Sequence, residues 1–409
     1  MSQYTLPQYV WFRLPMILIF ANSYLVYRML VATQLTDLAV QKAMTITRGN
    51  IYRLIVYVLC SGALLSFFIP NAVSVLILLP IIKQIENQLS CCHLSNETIS
   101  KITTALGLAA IYGANIGGMG SLVGSPANLL LIGALDLLDS QQFMPLTFLN
   151  WFLWSIPLVI CFLVSAFFVI RLLAMPSGTR PIQCCIDTQR TFNQQQRQSL
   201  KLFGFFIIFW IIHSIAQQRI DWYKSYQSFI CLAFVMYFIS RLFVYRPVLT
   251  WKQMIDDIPF RGFFVLILFG CIMVFVRCLH LDQWAAECFD HMIPDNPSPV
   301  ALVFWITGIS IFLTEFLSNT IVSTALFPVV YHTAQIHDIM PLLLMIPVSV
   351  ASTCAFMTPI ATPCNAFVYG EVKRIRLLTM ILCGLVLNGL CILSVVLWIP
   401  VCIPLLYSL

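Results

Sequence analysis

The chemistry available to this chain lies in neutral oxygen and amide groups that recur at fixed spacing. Ser66, Asn71 and Pro80 are spaced as Thr314, Asn319 and Pro328 are, and Ser125-Pro126-Ala127-Asn128 with Gly133 returns as Thr362-Pro363-Cys364-Asn365 with Gly370. Beside them lie Ser318-Asn319-Thr320 and two runs rich in small and helix-breaking residues, from Asn115 to Ser121 and from Thr358 to Pro363. A helix interrupted at such a run leaves amide donors at one end and bare carbonyls at the other. The amides favour anions, the carbonyls favour small hard cations, and Ser, Thr and Asn serve either. Neither Lys nor Arg occurs in these motifs, which suits a site that must release its anion. Two tips and two unwound runs therefore predict a central site for an anion together with a cation such as sodium.

The remaining reactive residues point to no other chemistry. Glu315 is the carboxylate set deep in these segments, read either as a proton carrier or as a structural partner of a neighbouring donor. Cys91-Cys92-His93 is half of a metal site without a second half nearby, and zinc takes four ligands. Most of the 15 cysteines, such as Cys60, Cys161, Cys231, Cys271, Cys383 and Cys391, sit in apolar runs where Cys acts as a small hydrophobe. His213 is given no role. No paired His/Asp or Ser/His arrangement falls at membrane depth, so neither an enzyme nor a cofactor beyond coupling sodium ions is expected.

The elements that position these groups belong in a membrane. Hydrophobic residues make up 60% of the 409 residues and charged ones only 9%, against about 25% charged in soluble proteins. Continuous apolar spans run at 9–33, 147–172, 199–216, 226–245, 261–279 and 377–406. Two further stretches, 54–86 and 299–332, break at Pro70-Asn71 and at Ser318-Asn319-Thr320. A leg such as 54–69 reaches only about 24 Å at 1.5 Å per residue, short of the ~30 Å of hydrocarbon, so both stretches are expected to be re-entrant hairpins. Segments 102–139 and 341–370 are expected to cross as helices with unwound centres. The fold class is thus an all-α integral membrane protein.

Charge placement supports this map. With hairpins returning and broken helices crossing, one face collects all of the 22 Lys and Arg except Arg13, Arg219, Lys224 and Arg277. The positive-inside rule makes that face cytoplasmic, with both termini outside. The net charge of +6 is therefore a topology signal, and no nucleic-acid partner is expected. No cleavable signal peptide is expected either. Each half reads as helix, hairpin, broken helix, helix: 9–175 and 259–406, inverted relative to one another, with 176–258 supplying a cytoplasmic loop and two scaffold helices. Inverted repeats with discontinuous helices are the architecture of secondary transporters.

Ser318-Asn319-Thr320, the loop Gly117 to Asn128 and Ala361-Thr362-Pro363-Cys364-Asn365 together resemble the signatures of the divalent anion:sodium symporters, within the wider ion-transporter superfamily. The resemblance covers most of 9–406. It implies carriage of a dicarboxylate, citrate or sulfate with sodium across a cell or inner membrane, with the lipid bilayer and a second copy of the chain as partners. By position, Ser66, Asn71 and the Gly120 carbonyl resemble a first sodium site, and Thr314, Asn319 and the Ala361 carbonyl a second. Ser121, Ser318, Thr320, Thr362 and Pro363, with Asn71 and Asn319, resemble the substrate lining. Two departures stand out: the first tip is Pro70-Asn71-Ala72, without hydroxyls, and the family's first three helices are not matched. Alternatives are a proton-coupled or arsenite-type carrier of the same superfamily, and a degenerate, non-transporting membrane protein.

Overall fold

A computed structural model describes residues 50–68, 70–90, 95–122, 124–138, 146–176, 193–244, 248–250, 297–372 and 374–407, with Leu279 and scattered positions before residue 50. The expected spans at 9–33 (apart from those scattered positions) and 261–279 (apart from Leu279), the loop residues 177–192, the acidic segment 280–296 and Cys91-Cys92-His93 lie outside the described residues.

Among the described residues every regular element is helical. The helices are α1 (Ile51–Ser66), α2 (Asn71–Ser90), α3 (Asn96–Met119), α4 (Pro126–Leu137), α5 (Phe148–Val169), α6 (Gln194–Arg219), α7 (Asp221–Phe243), α8 (Pro299–Thr314), α9 (Asn319–Ile336), α10 (Pro341–Thr353), α11 (Pro363–Glu371) and α12 (Leu377–Tyr407). A π-helical turn, Ile170–Ala174, continues α5. Local sequence dictates many of the starts. Asn50, Ser95, Ser125, Ser298, Ser318 and Thr362 each cap a helix by accepting a backbone N–H through a side-chain oxygen. Proline follows the cap at α4, α8 and α11, where its missing N–H costs nothing.

By length and composition, Asn96–Met119, Leu149–Ala174, Trp222–Phe243 and Leu377–Tyr407 are long and apolar enough to cross a membrane. The expected breaks appear as breaks, with shifted edges. The first stretch parts between Ser66 and Asn71 and the second between Thr314 and Asn319. The run from Asn115 stays helical through Met119, so unwinding is confined to Gly120–Ser125. Glycine there serves packing, not unwinding: a Cβ on Gly113 would lie 2.3 Å from the Leu59 carbonyl oxygen, and one on Gly117 equally close to that of Ala63. This Gly-x-x-x-Gly stripe lets α1 lie directly on α3. The second break begins earlier than expected, at Cys354, because α10 ends at Thr353.

The chain forms two compact units. One comprises residues 1–46, 147–149 and 186–260, and includes α6 and α7, whose Phe209 and Phe234 rings stack with centroids 3.6 Å apart. The other comprises 47–146, 150–185 and 261–409. In it α3 is buried from Ile102 to Met119, with α1 and α2 packed upon it, while α8 and α9 pack on α10. The second legs cross over: α2 meets α11 and α9 meets α4. All the candidate residues lie in this unit.

Candidate functional site

Each tip is closed by one hydroxyl. Ser66, the last residue of α1, donates to Asn71 Oδ1 at 2.6 Å. Thr314, the last residue of α8, lies 3.1 Å from Asn319 Oδ1 and donates more closely, at 2.7 Å, to the Ser352 carbonyl. The offset of five residues is the same in both tips. Both hydroxyls are fully buried. Because each acts as a donor, its oxygen lone pairs, with those of the Asn Oδ1, retain acceptor capacity of the kind that can ligate a hard cation. Asn71 lies against Gly118, where an added Cβ would fall 2.3 Å from Oδ1. The Nδ2 groups of Asn71 and Asn319 donate to no described residue.

The two breaks are held by an identical staple. Asn128 Nδ2 donates to the carbonyls of Gly118 (3.0 Å) and Ser121 (2.6 Å). Asn365 Nδ2 donates to those of Ala355 (2.9 Å) and Thr358 (2.7 Å). Both Asn residues reach back ten and seven positions, satisfying carbonyls that the unwound chain strands. Each Oδ1 then accepts from the other half: Ser349 Oγ on Asn128 at 2.8 Å, and Asn115 Nδ2 on Asn365 at 3.2 Å. The two breaks are thereby brought side by side.

Breaks also grip tips. Ser121 Oγ donates to the Phe67 carbonyl and accepts from Gly124 N–H at 3.0 Å. Thr358 Oγ1 donates to the Glu315 carbonyl at 2.8 Å. The Gly120 carbonyl accepts from Ser155 at 2.9 Å, and Trp151 Nε1 binds the Met119 carbonyl at the same distance. Thr362 caps α11, accepting from Asn365 N–H at 3.3 Å and donating to its Oδ1 at 2.9 Å.

Ser66, Gly120, Ser121, Thr314, Ala361 and Thr362 are buried, whereas Asn71, Asn319 and Thr320 are half-buried and Ser318 and Pro363 exposed. At each tip a buried hydroxyl thus accompanies a half-buried Asn. Glu315 is 3% exposed. Its Oε1 accepts from Phe356 N–H (2.8 Å), Met357 N–H (2.9 Å) and Asn388 Nδ2 (2.8 Å), and its Oε2 from Met357 (3.1 Å) and Thr358 N–H (3.0 Å).

Sequence reasoning did not assign roles to Asn115, Asn128, Ser155, Ser349, Asn365 or Asn388. The signal for two of them was present, since Asn stands three residues after the cap in both Ser125-Pro126-Ala127-Asn128 and Thr362-Pro363-Cys364-Asn365. That spacing places it one turn into the helix, above the break.

The sequence model of the CitMHS family, described as citrate transporter, matches residues 2–344. The sodium-dependent dicarboxylate transporter SdcS of Staphylococcus saprophyticus is 29% identical over 374 residues, spanning 86% of this chain and 69% of that protein. An uncharacterized transporter of Haemophilus influenzae is 26% identical over 92% of this chain and 79% of its own length. SdcS of Staphylococcus aureus (strain USA300) is 26% identical over 76% of this chain and 61% of its own. Among solved structures, the Alcanivorax borkumensis YdaH transporter, described as having an unusual topology, superposes with a TM-score of 0.54 over 96% of this chain and 85% of that one, at 13% identity. That likeness concerns the fold alone.

Proposed function

Because the chain belongs to the CitMHS citrate transporter family, and is thus a multi-pass membrane carrier of carboxylate anions and not an enzyme, we propose that it moves a divalent anion together with sodium. The substrate class is a di- or tricarboxylate such as succinate, malate or citrate, or sulfate. The names of its SdcS relatives support sodium coupling and a dicarboxylate substrate. The observation that carries the reading is the doubled tip, Ser66 on Asn71 and Thr314 on Asn319, each beside a stapled break. In this reading Ser66, Asn71 and the Gly120 carbonyl hold one sodium, and Thr314, Asn319 and the Ala361 carbonyl the other. Ser318, Asn319 and Thr320 face the anion, with Ser121, Thr362, Pro363 and Asn71 completing its surroundings.

Neutral oxygens suit this task physically. Moving a dianion into a negative-inside compartment costs about 2.3 kcal/mol per charge per 100 mV, and cotransported sodium offsets that cost. Buried hydroxyl and carbonyl oxygens bind a hard cation without adding a fixed charge. The two helix pairs act as oppositely oriented re-entrant hairpins, and the exposed apolar stripe of α12, from Leu378 and Leu382 through Leu393 and Leu397 to Leu405, faces lipid or a second copy of the chain.

Purified protein in proteoliposomes, given labelled succinate, citrate or sulfate with and without an inward sodium gradient, tests the proposal. Uptake of at least one anion that requires the gradient is expected. Uptake driven equally by a proton gradient without sodium would replace it with the proton-coupled alternative, and no uptake at all with the degenerate one.

A further inference from the structure

The two halves share the hydroxyl–Asn contact and the staple, but differ in the residue that follows the hydroxyl. Where α1 ends, Ser66 is followed by Phe67, whose ring lies against Gly120: a Cβ on that glycine would fall 2.3 Å from the ring edge. Where α8 ends, Thr314 is followed by Glu315. Both residues present their main-chain carbonyl to the hydroxyl of the facing break, Phe67 to Ser121 and Glu315 to Thr358. One half therefore fills the space between tip and break with an aromatic ring, and the other with a carboxylate.

The backbone explains why only the second half can take a carboxylate. In the first half the helix continues to Met119, and Gly120 N–H bonds to the Gly117 carbonyl. In the second, α10 ends at Thr353, and the successive amides of Phe356, Met357 and Thr358 turn toward the tip. Three consecutive N–H groups aimed at one point form an anion nest. Glu315 fills it, Asn388 adds a further donor, and an acceptor-only carboxylate matches a set made entirely of donors.

We propose that Glu315 is a positioning residue: an internal anion that occupies the amide nest of the second break and thereby holds Thr314 and Asn319 in register with Ala361, so that the second cation site keeps its geometry. A corollary follows for specificity. The amides of Phe356, Met357 and Thr358 are taken up within the protein, so the transported anion draws on Ser318, Asn319 and Thr320 and the rest of the lining named above. The proposal deepens the reading of the site given above and rests on it.

The test is Glu315→Gln in the full-length protein in lipid nanodiscs, read by hydrogen–deuterium exchange and by equilibrium binding of radiolabelled sodium, with uptake in proteoliposomes alongside. Gln keeps the shape but turns an –NH2 group toward amide donors. Exchange of the 354–360 peptide is expected to rise about tenfold or more while that of 116–124 stays within about twofold, since hydrogen bonds to a charged acceptor are the strongest of their kind. Sodium half-saturation should rise by a similar factor, and by more than anion KM at saturating sodium. Unaltered exchange at 354–360, an equal rise at 116–124, or faster exchange with sodium affinity unmoved would each overturn the proposal. If Glu315→Gln does not fold, Asn388→Ala, which removes one donor and leaves the carboxylate, should shift both readouts in the same direction by less. No uptake by the wild type, with sodium binding still weakened by the substitution, would leave the clamp standing and sink the coupled-transport reading; a wild type that binds no sodium would sink both.

Discussion

Replacing Asn365 should separate the staple from ordinary packing. Its side chain is fully buried and makes four hydrogen bonds to groups outside its own backbone: two donated, to the Ala355 and Thr358 carbonyls, and two accepted, from Thr362 and Asn115. Ala at this position leaves the Thr358 carbonyl and the Thr362 hydroxyl without these partners, while the Ala355 carbonyl keeps Asn115 at 3.3 Å. A buried polar group stripped of its partner costs about 1–3 kcal/mol, so two such groups amount to ~2–6 kcal/mol. Asn365→Asp is nearly isosteric yet should be worse at neutral pH. It sets a carboxylate oxygen against the two carbonyls now 2.9 and 2.7 Å from Nδ2, adding repulsion and an unpaired buried charge. Lowering the pH should partly rescue the Asp variant alone, because a protonated acid can donate one hydrogen bond and Ala none. Thermal unfolding in one detergent across pH 5 to 8 reads all three proteins. An Asp variant as stable as wild type at neutral pH, or an Ala variant with the same pH response, would refute the staple.

Other substitutions test neighbouring parts of the argument. Asn319→Ala and Thr320→Ala should weaken anion binding more than Asn71→Ala, whose main effect should fall on sodium dependence. The first tip lacks the two hydroxyls, and each hydrogen bond to a charged group is worth about 1.5–3 kcal/mol; KM for the anion and half-saturation for sodium, measured in the same vesicles, decide it. Gly117→Ala places a Cβ 2.3 Å from a backbone oxygen of α1, which cannot give way as a side-chain end would. It should cost about 1–3 kcal/mol through overpacking, seen as a lowered melting temperature, whereas Gly308→Ala, with nothing within 4 Å of its Cβ, should not. Lys83 pairs with Glu371 between α2 and α11, but both side chains are more than a third exposed. Lys83→Ala should therefore leave thermal stability unchanged at moderate salt.

Most of the architecture was legible because the relevant signals are local. A membrane helix must satisfy its backbone internally and stay apolar over its length, so composition marked the spans at 147–172, 226–245 and 377–406, where helices long and apolar enough to cross occur. Caps such as Ser318 and Thr362 act within three residues, and marked where helices restart after a break. The edges of the breaks were less legible. Gly113 and Gly117 read equally as breakers and as packing residues. Only the approach of α1, with the Leu59 and Ala63 carbonyls against them, decides for packing.

From the sequence alone came the membrane class, the helical fold and the doubled Ser/Thr–Asn spacing. Each of these depends on contacts a few positions apart, or on the solvent a segment tolerates. Three features needed the folded chain. The reciprocal reach of Ser349 to Asn128 and of Asn115 to Asn365 joins residues more than 200 positions apart. The choice between proton carrier and structural partner for Glu315 turned on Phe356, Met357, Thr358 and Asn388 arriving around one carboxylate. The difference between the halves, a ring beside Gly120 and a carboxylate in a nest, followed from where α10 stops. Hydrogen bonds to stranded backbone groups can be located only once the break has a shape, because the unwound chain itself decides which amides and carbonyls are left to be satisfied.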